Sequence, residues 1–207
     1  MGKLEHNKLI KRNALYNTAF ELFTTKGLTK TTISDIVEKA GVAKGTFYLY
    51  FKDKYDIRNK LVAHKTGEMF RKADEAMHRE GIQGFRTQIH FIVDYIIDLL
   101  AADLPLLIFI SKNLSWGAFR NMVETAQDGE GFHYYDSYLT ALLADTGASY
   151  EAPELLLFTI LELVSGTCHS CLALKQPVPM DTYRPFLHRS IDGILDAFRT
   201  EQEFSQE

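Results

Sequence analysis

Helical periodicity runs through nearly the whole of this 207-residue chain, and no stretch shows the strict apolar–polar alternation of a half-buried strand. That property points away from sheet architectures and towards an all-α fold. Leu15, Ala19, Leu22 and Phe23 follow the i, i+4, i+7, i+8 spacing of one buried helical face, and Gly27 offers the left-handed residue that ends it. Ile33, Ile36, Val37 and Ala40 repeat the pattern over a shorter run. Thr32 stands before that run as N-cap, Asp35 complements the positive helix end, and Gly41 closes it. A third helix of about two turns begins at Ala43 or Lys44, with Phe47 and Phe51 facing inward at i, i+4 spacing. Asp53 is placed to cap a fourth that runs past Phe70 towards Arg79.

Beyond Gly81 the helices lengthen. Phe85, Ile89, Ile92, Val93, Ile96, Leu99 and Leu100 form a wide apolar stripe, and Pro105 suits the first turn of a helix continuing over Leu106–Asn113. Trp116–Ala126 and Phe132–Leu143 are expected to be helical, parted by Asp128, Gly129 and Gly131. Pro153–Leu174 follows, Pro177 and Pro179 mark a boundary, and Thr182 is placed to cap a last helix to about Arg199. The expectation is an all-α chain of about nine helices.

Charge divides the chain. Residues 1–60 hold twelve Lys/Arg against six Asp/Glu, whereas residues 61–207 hold eleven against twenty-one, so the overall net charge of −4 hides a basic front on an acidic body. Such a split directs only the N-terminal quarter to a polyanion. The start, MGKLEHNKLIKRN, has no apolar core of a secretory signal. The most apolar stretch, Ile89–Ile110, is interrupted by Asp94, Asp98, Asp103 and Pro105, which disfavours a membrane span. Two cysteines, Cys168 and Cys171, make no secreted disulfide framework. A cytoplasmic location is expected, with no membrane partner.

Two short helices joined through Gly41-Val42 have the form of a helix-turn-helix. The first-turn N–H groups and hydroxyl at Thr32 suit a phosphate. Lys44, Gly45 and Thr46 form the opening turn of the second helix, the part that enters a major groove. A lysine there donates to guanine or phosphate, a glycine permits close approach, and a threonine offers hydroxyl and methyl. Tyr48 and Tyr50 point away from the Phe47/Phe51 face, and Lys54 joins an ammonium to a helix start.

The stretch LYNTAFELFTTKG from Leu15, followed by TTISDIVEKAGVAKGTFYLYFKDK from Thr31 to Lys54, resembles the DNA-binding domain of TetR-family transcriptional regulators. The resemblance implies a three-helix DNA-binding domain (1–53) on an effector-binding and dimerisation body (54–207). It implies a homodimer, most often a repressor, on near-palindromic double-stranded operator DNA. It places DNA contacts at Thr32, Ser34, Lys44, Gly45, Thr46, Tyr48, Tyr50 and Lys54. Ala43 departs from the family's frequent serine N-cap.

The helix Leu155–Leu174 is apolar nearly all round, with Glu162 its only charged interior residue, so it needs cover on every side. A second copy supplies that cover if this helix and Ile191–Phe198 pair about a two-fold axis. The body is rich in aromatics, Phe85, Phe91, Tyr95, Phe109, Trp116, Phe119, Phe132, Tyr135, Tyr138 and Phe158. Individually such residues suit a core; together they suit a small-molecule cavity, which the resemblance also implies. The candidate lining is this set without Phe132 and with His169, for a largely apolar or aromatic effector.

His90, Asp94 and Asp98 form one helical stripe, read as a solvated face rather than a metal site. Cys168 and Cys171 are read as small packing residues, a thiol- or metal-responsive regulator being the alternative. A protein-docking module with incidental DNA binding is another. No nucleophile elbow, phosphate loop or H-E-x-x-H motif is present, so neither an enzyme nor a resident cofactor or metal is expected.

Overall fold

The computed structural model describes residues 3–113 and 150–200. Among these the helices are α1 (Lys3–Thr25), α2 (Ile33–Ala40), α3 (Lys44–Tyr48), α4 (Lys54–Arg79), α5 (Phe85–Ala102), α6 (Leu104–Asn113), α7 (Pro153–Cys168) and α8 (Met180–Ala197). A π-helical turn, His169–Leu174, carries α7 onward. The helices expected over 116–126 and 132–143 lie outside the described residues.

Local sequence sets the early boundaries. Gly41 takes φ +67°, a left-handed conformation that glycine adopts without penalty, and its N–H returns to Glu38 and Val37 carbonyls to close α2. Asp53 caps α4 by accepting from the Tyr55 and Asp56 N–H groups at 2.7 and 2.8 Å. The last helix differs from expectation. It begins at Met180 behind Pro179, placing Thr182 inside its first turn rather than at the cap.

Leu15 and Ala19 of α1, Ile36 of α2, Phe47 of α3, and Ile57 and Leu61 of α4 are all fully buried. Burying each large side chain contributes about 1.5–3 kcal/mol, which is how helices this short are held. The same apolar core continues without a break through α5 and α6 to Leu187, Ile191 and Leu195 of α8. Phe109 belongs to this continuity. Its ring meets Phe20 edge-on at 5.5 Å and lies nearly parallel to Phe23 at 6.4 Å, so it ties α6 to α1.

The His90–Asp94–Asp98 stripe is not a solvated face. His90 reaches Asp192, Asp94 takes Arg184 at 3.0 Å and His188 at 2.9 Å, and Asp98 takes Arg184 at 2.5 Å. Arg86, one turn earlier on α5, bonds Asp192 at 2.6 Å and also Asp196. A row of polar and charged side chains, half-buried at its centre and exposed at Asp98 and Asp196, thus joins α5 to α8. Hydropathy along α5 identified this as its polar side; the partner that covers it lies about a hundred residues away. Among the described residues no group of three or more ligand-type side chains is arranged to hold a metal.

Over Pro153–Leu174 the chain is long and apolar enough to cross a membrane by length and composition, yet only 22% of its most apolar window is buried within one chain. Leu156, Ile160, Cys168 and Cys171 point into the core, whereas Leu155, Leu174 and, on α8, Phe186 are each more than half exposed.

Candidate nucleic-acid interface

The interface is built from the α1–α2 turn, α2, α3 and the start of α4. Thr32 and Asp35 close a reciprocal capping box. The Asp35 N–H donates to Thr32 Oγ1 at 3.1 Å, and the Thr32 N–H donates to Asp35 Oδ2 at 2.8 Å. Lys26 adds a 2.6 Å bond to the same carboxylate. That ammonium first, and the Thr32 N–H second, hold the Asp35 carboxyl down to about 2. Thr32 and Ser34 are exposed on the first turn of α2.

The turn Gly41–Ala43 then delivers α3. Ala43 provides no side-chain cap, as its lack of an oxygen dictates. Phe47 and Phe51 are buried and in ring contact at 5.4 Å, which fixes the helix by its inner face. Lys44, Gly45, Tyr48 and Leu49 are exposed, and Thr46 is half-buried. A Cβ placed on Gly45 would meet nothing within 4 Å, so no contact inside the subunit demands glycine there.

Two of the expected DNA contacts are engaged within the chain. The Tyr50 hydroxyl donates to the Lys8 carbonyl of α1 at 3.3 Å, so the phenol braces α3 against α1. The Lys54 ammonium, expected to face a phosphate, donates instead to the Leu28, Thr29 and Thr31 carbonyls at 3.1, 3.1 and 3.2 Å. Sequence reasoning passed over Leu49, 78% exposed, and Tyr55, which is exposed and has Lys54 and Arg58 each 5.6 Å from its ring centre. Their signal was available: neither fits the inward spacing of Phe47, Phe51 and Ile57.

The model of bacterial regulatory proteins of the tetR family matches residues 15–61, the span from the inward half of α1 to the second turn of α4. The chain is 26% identical over 191 residues to the uncharacterized HTH-type transcriptional regulator YvdT of Bacillus subtilis, covering 87% of this chain and 95% of that one. Residues 15–61 carry the DNA-binding signature of the tetR family. The chain is also 31% identical over 89 residues to the fatty acid metabolism regulator protein of B. subtilis, 43% of this chain and 45% of that one. Its fold is that of the fatty acid degradation regulator FadR of Bacillus halodurans, at a TM-score of 0.65, 20% identity and coverage of 87% and 97%. FadR of B. subtilis in complex with stearoyl-CoA superposes at 0.62, with 21% identity and coverage of 86% and 96%. The proteins it resembles are transcriptional regulators.

The described candidate effector residues lie on α5, α6, α7 and the π-helical turn. Phe85 is buried against Tyr150 at 5.0 Å; Phe91 and Tyr95 are half-buried with ring centres 6.1 Å apart. Phe158 is half-buried on α7, and His169 Nδ1 lies 3.1 Å from Ser111 Oγ of α6. Phe109 faces α1, so it is a packing residue between DNA-binding region and body. Trp116, Phe119, Tyr135 and Tyr138 lie outside the described residues. Cys168 and Cys171 are buried free thiols, and burial, with Cys171 beside it, pushes Cys168 up to about 12.

Proposed function

We propose that this protein is a cytoplasmic, homodimeric repressor that binds a near-palindromic operator and is released by an effector with a long apolar portion. Residues 1–53 act as the DNA-binding head, and the body from residue 54 receives the effector. Thr32, Ser34, Lys44, Gly45, Thr46 and Tyr48 meet the duplex, with Tyr50 holding α3 at its angle. The observation that carries this is the exposed face Lys44–Gly45–Tyr48, backed by a fully buried Phe47. Everything inward on α3 is core; everything outward is free for a groove.

Pairing of α7 and α8 with a second copy accounts for the exposed Leu155, Leu174 and Phe186. The relatives concerned with fatty acid metabolism and the stearoyl-CoA complex support a fatty-acyl effector, whose tail suits an aromatic-rich body. Because α4 starts where the head ends, packs against α1 and runs along α5 in the body, an effector that prefers one body arrangement moves the two heads apart or together.

The test is retardation of the upstream intergenic DNA by purified protein, with fatty acids, acyl-CoAs and planar aromatics added in turn. Retardation relieved by the acyl compounds supports the reading. Failure to select any DNA from a random pool would overturn it.

A further inference from the structure

Lys54 is the first residue of α4, and all three hydrogens of its ammonium point back into the α1–α2 turn, at Leu28, Thr29 and Thr31 carbonyls. The last of these is the decisive contact. The Thr31 carbonyl and the Thr32 N–H are the two ends of one peptide group. The oxygen end is held by Lys54 at 3.2 Å, and the N–H end by Asp35 Oδ2 at 2.8 Å. That peptide therefore cannot rotate without breaking a charge-assisted bond at one end or the other. Its orientation fixes where the Thr32 side chain and the first turn of α2 point. Thr31 itself is fully buried, with its hydroxyl donating to the Gly27 carbonyl at 2.8 Å. The turn is thus anchored from inside as well.

We infer that Lys54 is a positioning residue: it fastens the Thr31–Thr32 peptide, and with it the phosphate-facing start of α2, to the head of α4. The inference rests on the DNA-binding reading for its consequence and on hydrogen bonding alone for its geometry. It assigns Lys54 a different task from a direct phosphate contact. A movement of α4 would be delivered to the α2 N-terminus through a rigid link rather than a flexible turn.

Two substitutions in the full-length protein test it. Lys54→Met keeps the methylene stem and removes the donors. Lys54→Arg keeps the charge but offers a planar fork where three carbonyls converge on one point. Positioning predicts that both lose roughly tenfold or more in operator affinity. The slope of log affinity against log salt stays that of the wild type, because no phosphate contact has gone. In the free protein, amide exchange at Thr32 and Asp35 in Lys54→Met accelerates by roughly tenfold, while amides of α5 and α8 keep their protection. The idea is overturned if Lys54→Arg binds like wild type while Lys54→Met shows a slope shallower by about 0.9 per subunit. Unchanged exchange at Thr32 and Asp35 in Lys54→Met overturns it equally. Should exchange accelerate while even the wild type selects no DNA, the link stands and the DNA reading falls.

Discussion

The His90 and His188 rings lie against one another, centroids 4.5 Å apart, and each ring reaches a carboxylate on the other's helix, Asp192 at 2.8 Å and Asp94 at 2.9 Å. Around this pair the two helices repeat one another. Arg86, His90, Asp94 and Asp98 on α5 have the same spacing as Arg184, His188, Asp192 and Asp196 on α8. The partners exchange accordingly: each arginine bridges the two aspartates of the opposite helix. The seam is a self-complementary stripe paired with its twin, and any sliding of α8 along α5 by one turn would break several of its contacts together.

Burial raises the Asp192 carboxyl, but hydrogen bonds from His90 and Arg86 outweigh that effect and hold it below its ordinary value. A depressed carboxyl contributes stability above its unfolded pKa and loses it as pH falls through the folded one. Asp192→Asn should therefore cost about 0.5–1 kcal/mol at neutral pH, discounted for its partial exposure. The difference from wild type should shrink in urea titrations as pH drops below about 4. A difference that stays constant into acid would mean the ion pairs contribute nothing.

The Asp35 carboxyl should titrate near 2, held there by Lys26 and the Thr32 N–H. Carbon-13 detected titration of its side chain checks this. A midpoint near the ordinary aspartate value would show the capping box open in solution.

Gly45→Ala should act in opposite directions on stability and on DNA binding. An alanine methyl meets nothing within 4 Å in the free subunit, and the helix gains up to about 1 kcal/mol from reduced backbone entropy in the unfolded chain. Operator affinity should fall by about tenfold as the methyl holds α3 off the groove floor. Thermal unfolding and retardation on one preparation measure both; unchanged affinity removes Gly45 from the interface.

Native protein should leave Ellman's reagent unreacted over a time in which denatured protein yields both thiols, since Cys168 and Cys171 are 1% and 3% exposed and their thiols are raised by burial. Peroxide should correspondingly fail to release DNA. Rapid native labelling together with peroxide release would restore the thiol-sensor alternative.

Phe109→Ala should destabilise by about 3–5 kcal/mol in denaturant unfolding, because its ring fills the junction of α6 with Phe20 and Phe23. A loss under about 1 kcal/mol with a changed effector response would return Phe109 to the effector site.

Contacts within one or two helical turns were legible in the residues. Thr32 with Asp35, Gly41 as helix stop, Phe47 with Phe51, and Asp53 as cap all emerged as read, because their partners lie within four positions and backbone geometry alone brings them together. The all-α class and the family match rest on the same local patterns.

Where a polar side chain ends up was decided by the tertiary fold. Lys54 finds carbonyls in a turn before α2, Tyr50 finds α1, and His90 finds Asp192 on the last helix. Periodicity states that one side of a helix is polar, yet water and a neighbouring helix both satisfy a polar side. Only the packing of apolar faces, which fixes how helices cross, selects between them.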